Sequence, residues 1–290
     1  MKNNLKNKGF TLVELAIVIV IIGLLVGGVM HGQALIESAK VNRAVTDFKK
    51  YETAMLTFKA KYNALPGDML NAYTFFDGSG GSSVCGGNNN SRLGCNGNGD
   101  SLIGWNADHQ EVQKVWAHLN LSNINKDVSL YPTKEYRFMV TSPNPNPTGW
   151  AADTPNDRNT PLSTITEGAV FSLASPRLLS GGTYYGQTGL WISLSKPESK
   201  PIAGYLDDIL NNVVSAGTAM NIDSKIDDGL PTTGTVLALT RWVAGSAWEV
   251  CATTYIPYNQ MPSIAPSASI TYTANQQNLA CSLLFKTSLE

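Results

Sequence analysis

The chain has 290 residues, is 43% hydrophobic, and balances 21 basic against 22 acidic residues for a formal net charge of −1. That length can bury a substantial core, and the near-neutral balance argues against general nucleic-acid binding or adhesion to an anionic lipid surface. No Gly-x-Ser-x-Gly elbow, phosphate-binding glycine loop or His-Glu-x-x-His pair is present, so a non-enzymatic role is expected.

From Phe10 to Met30 the sequence is nearly unbroken hydrocarbon. At ~1.5 Å per residue, about 21 residues of helix cross a ~30 Å bilayer core. Lys2, Lys6 and Lys8 precede the run, while Glu37, Lys40, Asp47 and Glu52 follow it. The positive-inside bias therefore puts the N-terminus in the cytoplasm and everything after Met30 outside. Glu14 is the anomaly, a carboxylate within the apolar run that costs several kcal/mol unless it reaches the interface or finds a partner. No small-residue cleavage site follows the run, which sets aside a general secretory signal.

Gly9-Phe10-Thr11-Leu12-Val13-Glu14-Leu15 resembles the leader junction of type IV prepilins and of the pseudopilins of type II secretion. The resemblance implies cleavage between Gly9 and Phe10 by a prepilin peptidase, N-methylation of Phe10, and pairing of the new Phe10 amine with Glu14 of a neighbouring subunit. Two groups that are each costly alone in lipid would then satisfy one another. It further implies an α+β pilin fold: a leader over 1–9, a transmembrane and assembly helix over 10–30, an amphipathic continuation over 31–62, and a globular head with an antiparallel sheet over 63–290. The partners implied are other copies or related pilin subunits, the peptidase, and inner-membrane assembly machinery, with no cofactor and no nucleic acid. Subunits would begin as single-pass proteins of the bacterial inner membrane, head in the periplasm, and end in a filament.

The helical pattern continues past the membrane. Val41, Ala44, Phe48, Tyr51, Met55, Phe58 and Tyr62 alternate spacings of three and four, one apolar seam on a helix, with Lys40, Arg43, Asp47, Lys49, Lys50, Glu52, Lys59 and Lys61 off it. Joined to the span, this predicts one helix from Phe10 to Tyr62. Gly23, Gly27, Gly28 and Gly32 mark either a segment that bends or melts, or close-packing positions between helices. Many type IVa major pilins carry proline at the twenty-second mature residue, where this chain has His31, a departure from the major-pilin pattern.

Leu65-Pro66-Gly67-Asp68 predicts a turn, with Asp68 capping a short helix over Met69 to Phe76. Asp77 to Gly104, rich in Gly, Ser and Asn, cannot build a core alone. Asp108 and Glu111 form a capping-box pattern before a helix with an apolar face of Val112, Val115, Trp116 and Leu119. The order Leu-Pro-Gly-Asp, glycine-asparagine loop, acidic residue, then Val115-Trp116-Ala117-His118-Leu119 resembles a group of proteobacterial pilin-like proteins. Thr141 to Pro161, with five prolines, predicts a long surface loop. Strands are predicted over Gly168 to Leu173 and Thr183 to Leu194, and a helix over Ala219 to Asp227 with Gly229 as its C-cap and Pro231 as its stop. Thr235 to Val243 and Trp248 to Ile256 read as a hairpin, and Leu279 to Thr287 as the last strand.

Four cysteines in an exported region predict two disulfides. Three connectivities are open; the local one, Cys85 with Cys95 and Cys251 with Cys281, is the most economical. Asn96-Gly97-Asn98-Gly99-Asp100 alternates oxygen-bearing side chains, but Ser101 and Ala107 stand where a calcium loop needs glycine and glutamate, so an EF-hand is ruled out. Asp100 with Glu111 is read first as part of a turn, with calcium in another loop geometry left open, and Asp223, Asp227 and Asp228 first as solvated helix-end residues, with metal binding the lesser alternative; no metal is counted among the expected site residues. His109 and His118 would face opposite sides of one helix, and His31 lies at the membrane boundary. Three roles stay open: a pilus subunit, a pseudopilin of type II secretion, and a non-polymerising membrane-tethered periplasmic binding module.

Overall fold

A computed structural model describes residues 11–80, 96–101, 103, 111–127, 161–174, 190–196, 212–239, 251–253, 269–273 and 278–289. The first element, α1, spans Leu12–Tyr62, 51 residues and about 77 Å of helix. It starts two residues later than Phe10 because Thr11 is extended and acts as N-cap. The helix runs unbroken through Gly23, Gly27, Gly28 and Gly32, and a Cβ added at any of the four would meet nothing within 4 Å.

Two environments divide α1. Its first half is exposed all round, and its second half buries Val41, Ala44, Phe48, Tyr51, Ala54, Met55 and Phe58. Tyr62 is half-buried against the same core. Asp47, placed off the seam by its charge, is instead buried at its edge, where Arg43 Nε donates to its carboxylate at 2.9 Å. The long Arg43 side chain brings its charge to a position the backbone alone would make apolar.

Among the described residues, four strands form the layer opposite α1: β1 (Val170–Ala174), β2 (Trp191–Ser195), β3 (Val236–Leu239) and β4 (Ser282–Lys286). Their order is β1-β2-β4-β3, every pair antiparallel, so the last strand of the chain is central. Phe171, Leu173, Ile192, Leu194, Val236, Ala238, Leu283 and Phe285 belong to the same core as the α1 seam. Phe48 stacks on Phe285 at 4.8 Å, and Tyr51 meets Phe171 and Trp116 edge-on at 5.2 Å each. Such ring pairs add about 0.5–1.5 kcal/mol each beyond the area they bury. The alternate residues Val170, Trp191, Ser193, Leu237, Leu239 and Leu284 are buried too.

The other helices among the described residues are α2 (Ala72–Gly80), α3 (Glu111–Leu121) and α4 (Ala216–Ile226). Helix α2 begins three residues beyond the expected Met69, because Asp68 is not its cap: its carboxylate accepts N–H groups from Gly99 at 2.7 Å, Asp100 at 3.1 Å and Ser101 at 2.9 Å. Val115, Trp116 and Leu119 of α3 are buried as expected, whereas Asp108 and His109 lie outside the described residues. Helix α4 starts earlier than Ala219, with Ser215 as N-cap accepting the Thr218 N–H, and ends at Ile226 with Asp227 as C-cap, so Gly229 lies beyond the cap.

β1 and β4 begin two and three residues later than expected, and the described parts of β2 and β3 overlap their expected ranges. β3 pairs with β4, and Ala252 forms a bridge with Tyr272; the expected hairpin with Trp248 to Ile256 falls mostly outside the described residues. Residues 240–250 and 254–268 lie outside the described set, as do 141–160 of the proline-rich loop. Cys251 and Cys281 are joined by a disulfide, which ties the 251–253 segment to the start of β4. Cys85 and Cys95 lie outside the described residues.

Candidate functional site

The exposed half of α1 has a composition that water does not tolerate. Leu12, Val13, Leu15, Ile17 and their successors through Ile36 stand bare, and the most apolar stretch, with mean hydropathy 2.8, is not buried anywhere. About 25 cal/mol per Å2 of apolar surface opposes leaving such a helix in water. It is long and apolar enough to cross a membrane.

Glu14 sits in the first turn of this helix, in a reciprocal capping box with Thr11. The Thr11 N–H and hydroxyl both donate to Glu14 Oε2 at 2.8 Å, and the Glu14 N–H donates back to Thr11 Oγ1 at 3.2 Å. A carboxylate here satisfies otherwise orphaned N–H groups and lies at the positive end of the helix dipole. Thr11-x-x-Glu14 is a local helix-start signal, a second role for Glu14 beside the one that its apolar surroundings and the resemblance imply. Gly9 and Phe10 lie outside the described residues.

Two acidic groups converge in the head. Asp68, Asp100 and Glu111 each present a carboxylate oxygen within 4.8 Å of the others, and so do Asp223, Asp227 and Asp228. In the first group Asp68 is a member that sequence reading missed, since it joins the loop from 31 residues away. Burial, reinforced by the neighbouring Glu111 charge, pushes Asp68 up to about 6. Glu111 accepts the Asn98 N–H at 2.8 Å, and Lys114 donates to the Asn96 carbonyl. These carboxylates thus already organise the 96–101 loop, which is what holds it to α3. Gly97 and Gly67 permit this: a Cβ on Gly97 would lie 2.3 Å from the Asp68 backbone, and Gly67, at φ +94°, would meet the Glu111 carbonyl at 2.5 Å.

In the second group, Asp223 is fully buried and accepts the Tyr272 hydroxyl at 2.8 Å. Burial pushes it up to about 7, against the lowering effect of the Tyr272 bond. His118, also fully buried, accepts the Gly67 N–H on Nδ1 at 2.8 Å and stacks against Phe58 at 5.8 Å. Its role is to fasten the Leu-Pro-Gly-Asp turn to α3, a contact 51 residues apart that no local pattern announces.

Residues 4–30 match the family described as the prokaryotic N-terminal methylation motif, characteristic of type IV pilin-like and pseudopilin-like precursors. No curated protein and no solved structure matches the chain. The motif implies processing by prepilin peptidase and membrane anchoring through the apolar helix. A long N-terminal apolar helix with a small antiparallel sheet is the α+β arrangement of the pilin fold.

Proposed function

We propose that this chain is a structural subunit of a type IV pilus or related filament, cleaved between Gly9 and Phe10 and polymerised through residues 10–30. The supporting observation is the methylation motif running directly into a helix that carries its apolar residues bare through Ile36. In the membrane that surface is covered by lipid; in a filament it is covered by the same helix of neighbouring copies. Both surroundings are apolar, so exchange between them is driven by packing and polar pairing rather than by the hydrophobic effect. Glu14, with the Phe10 amine of a neighbour, supplies the pairing. The head, residues 63–290, stays outside the membrane. Use as a pseudopilin of type II secretion follows from the same features, and the two are separated by which machinery the subunit requires.

The test is Glu14→Gln in cells carrying the assembly machinery. The expected result is processed, folded, membrane-held subunit whose first residue is N-methyl-Phe10 by mass spectrometry, with no filament. Wild-type filament yield from the variant would refute the pairing and favour a tethered binding module. An intact Met1 in assembled material would refute the processing.

A further inference from the structure

The charge pattern of α1 fixes where a bilayer around it can end. Between Glu14 and Glu37 lie 22 residues with no acid, lysine or arginine. The two carboxylates stand about 34 Å apart along the helix, against a hydrocarbon core of ~30 Å. A span that stopped at Met30 would leave Leu35 and Ile36, 72% and 60% exposed, in contact with water. A span that runs from the Glu14 turn covers both, and His31 then lies about 5 Å inside its outer edge, close enough to turn a polar tip to the interface. Glu37 stands about 2–5 Å beyond the core for any tilt from upright to ~20°, inside a headgroup layer ~5–7 Å thick.

The head begins at the same level. Thr218, buried in the first turn of α4, donates its hydroxyl to Glu37 Oε1 at 2.8 Å, and its oxygen lies 2.9 Å from the hydroxyl of the Ser215 cap. Burial of the α1 seam starts one turn further on, at Val41. The chain leading into α4 is itself clamped. The Val213 and Val214 N–H groups donate to the Cys281 carbonyl at 2.7 and 3.1 Å, and the Ala280 N–H donates to the Val214 carbonyl at 3.0 Å. Cys281 is held in turn by its disulfide to Cys251. These bonds tie one corner of the head to α1 at the height of Glu37. Leu279, adjoining the clamp, is 43% exposed.

We infer that the corner of the head formed by Ser215–Thr218 and Leu279 seats in the phospholipid headgroup layer of the membrane that holds the subunit, with Leu279 as its apolar contact. The inference rests on the membrane-anchored state of the reading above and names the surface by which the head meets lipid in that state. Continuity is the reason for choosing lipid as the partner: the corner is bonded to the residue that ends the charge-free run, so a bilayer that covers the run reaches the corner as well. The contact needs little affinity of its own, because the span has already brought the surface to the membrane. Lys40, about 4 Å further along α1 than Glu37, lies within reach of the lipid phosphates.

The experiment uses the full-length chain reconstituted in vesicles of phosphatidylethanolamine and phosphatidylglycerol, with photoreactive benzoylphenylalanine replacing one residue at a time: Ile21 in the span, Ser38 beside Glu37, Leu279, or Phe75. All four positions are exposed, and formation of the Cys251–Cys281 disulfide, read by mass, checks that each variant folds. Phe75 is the distant control, since it rests on Tyr62 at 5.8 Å, and Tyr62 lies about 37 Å beyond Glu37 along α1. After illumination, phospholipid adducts are expected at Ile21, Ser38 and Leu279, with the Leu279 yield at least tenfold above that of Phe75. Adducts at Ile21 and Ser38 with Leu279 no higher than Phe75 would show a head standing clear of the membrane, which overturns the seating and leaves the anchored state intact. Labelling of Ile21 without Ser38 would place the bilayer edge short of Glu37 and overturn it too. No adduct at Ile21 overturns the anchored state itself.

Discussion

The buried carboxylate of Asp223 makes the stability of the head depend on pH in a direction that can be worked out. It lies on α4, fully buried, with Tyr272 donating to Oδ2 at 2.8 Å, the Gly229 N–H reaching Oδ1 at 3.3 Å, and Asp227 and Asp228 on the same helix end. Burial raises its pKa from an ordinary 3.8 to about 7. The folded chain thus holds this proton more tightly than the unfolded chain. The stabilisation is complete below about pH 4 and is lost as pH rises through about 7. At about 1.4 kcal/mol per pH unit between the two titrations, the ceiling on the loss is roughly 4 kcal/mol. Asp68, raised to about 6, loses stability over the lower part of the same range. Between pH 6 and 7 the contribution of Asp223 stands apart, at roughly 1 kcal/mol per pH unit. Asp223→Asn is nearly isosteric, keeps a polar partner for Tyr272, and cannot ionise. Urea unfolding of the detergent-purified protein at pH 5, 6, 7 and 8 should show a smaller decline in the variant than in wild type over pH 6–7, and a variant more stable than wild type at pH 8. Equal slopes in the two proteins would refute the assignment of this linkage to Asp223.

Opening the Cys251–Cys281 disulfide, which spans 30 residues, should lower stability by roughly 3–4 kcal/mol on the chain-entropy account. Both sulfurs belong to fully buried residues, so reduction by dithiothreitol should be slow in native buffer and fast in urea. Phe58→Ala removes a fully buried ring that touches Tyr62, Phe76 and His118, and should cost about 3–5 kcal/mol in the same unfolding assay. Leu56→Ala, two residues away but 40% exposed, should change stability by about 0.5 kcal/mol or less; a large effect there would show that α1 packs differently.

How much of this was legible depends on the range of the interactions that fix each element. The seam from Val41 to Phe58 repeats every three and four residues because one helix face meets one core, and that periodicity is written locally. The sheet is written less clearly. Val170, Trp191, Leu237 and Leu284 are buried along with their alternating neighbours, so the in-out alternation that marks a half-exposed strand is absent. Strand order was not legible either: β3 and β4 are neighbours although some 40 residues separate them, and no local pattern announces that pairing. Asp68 shows the same limit in a single residue. Its local sequence is that of a helix cap, and its actual donors are the N–H groups of Gly99, Asp100 and Ser101.

Glu14 combines both kinds of information, and this is why glutamine is the informative replacement. The capping box uses Glu14 as an acceptor from Thr11, and Gln serves that role as well. The proposed contact with a neighbour's Phe10 amine uses the charge, which Gln lacks. Both Thr11 donors fall on Oε2, and an ionised carboxylate has about four lone-pair sites across its two oxygens. Capping its own helix therefore does not exhaust Glu14. The local start signal and the intermolecular pairing can be served by one side chain at once, and only substitution by a neutral acceptor separates them.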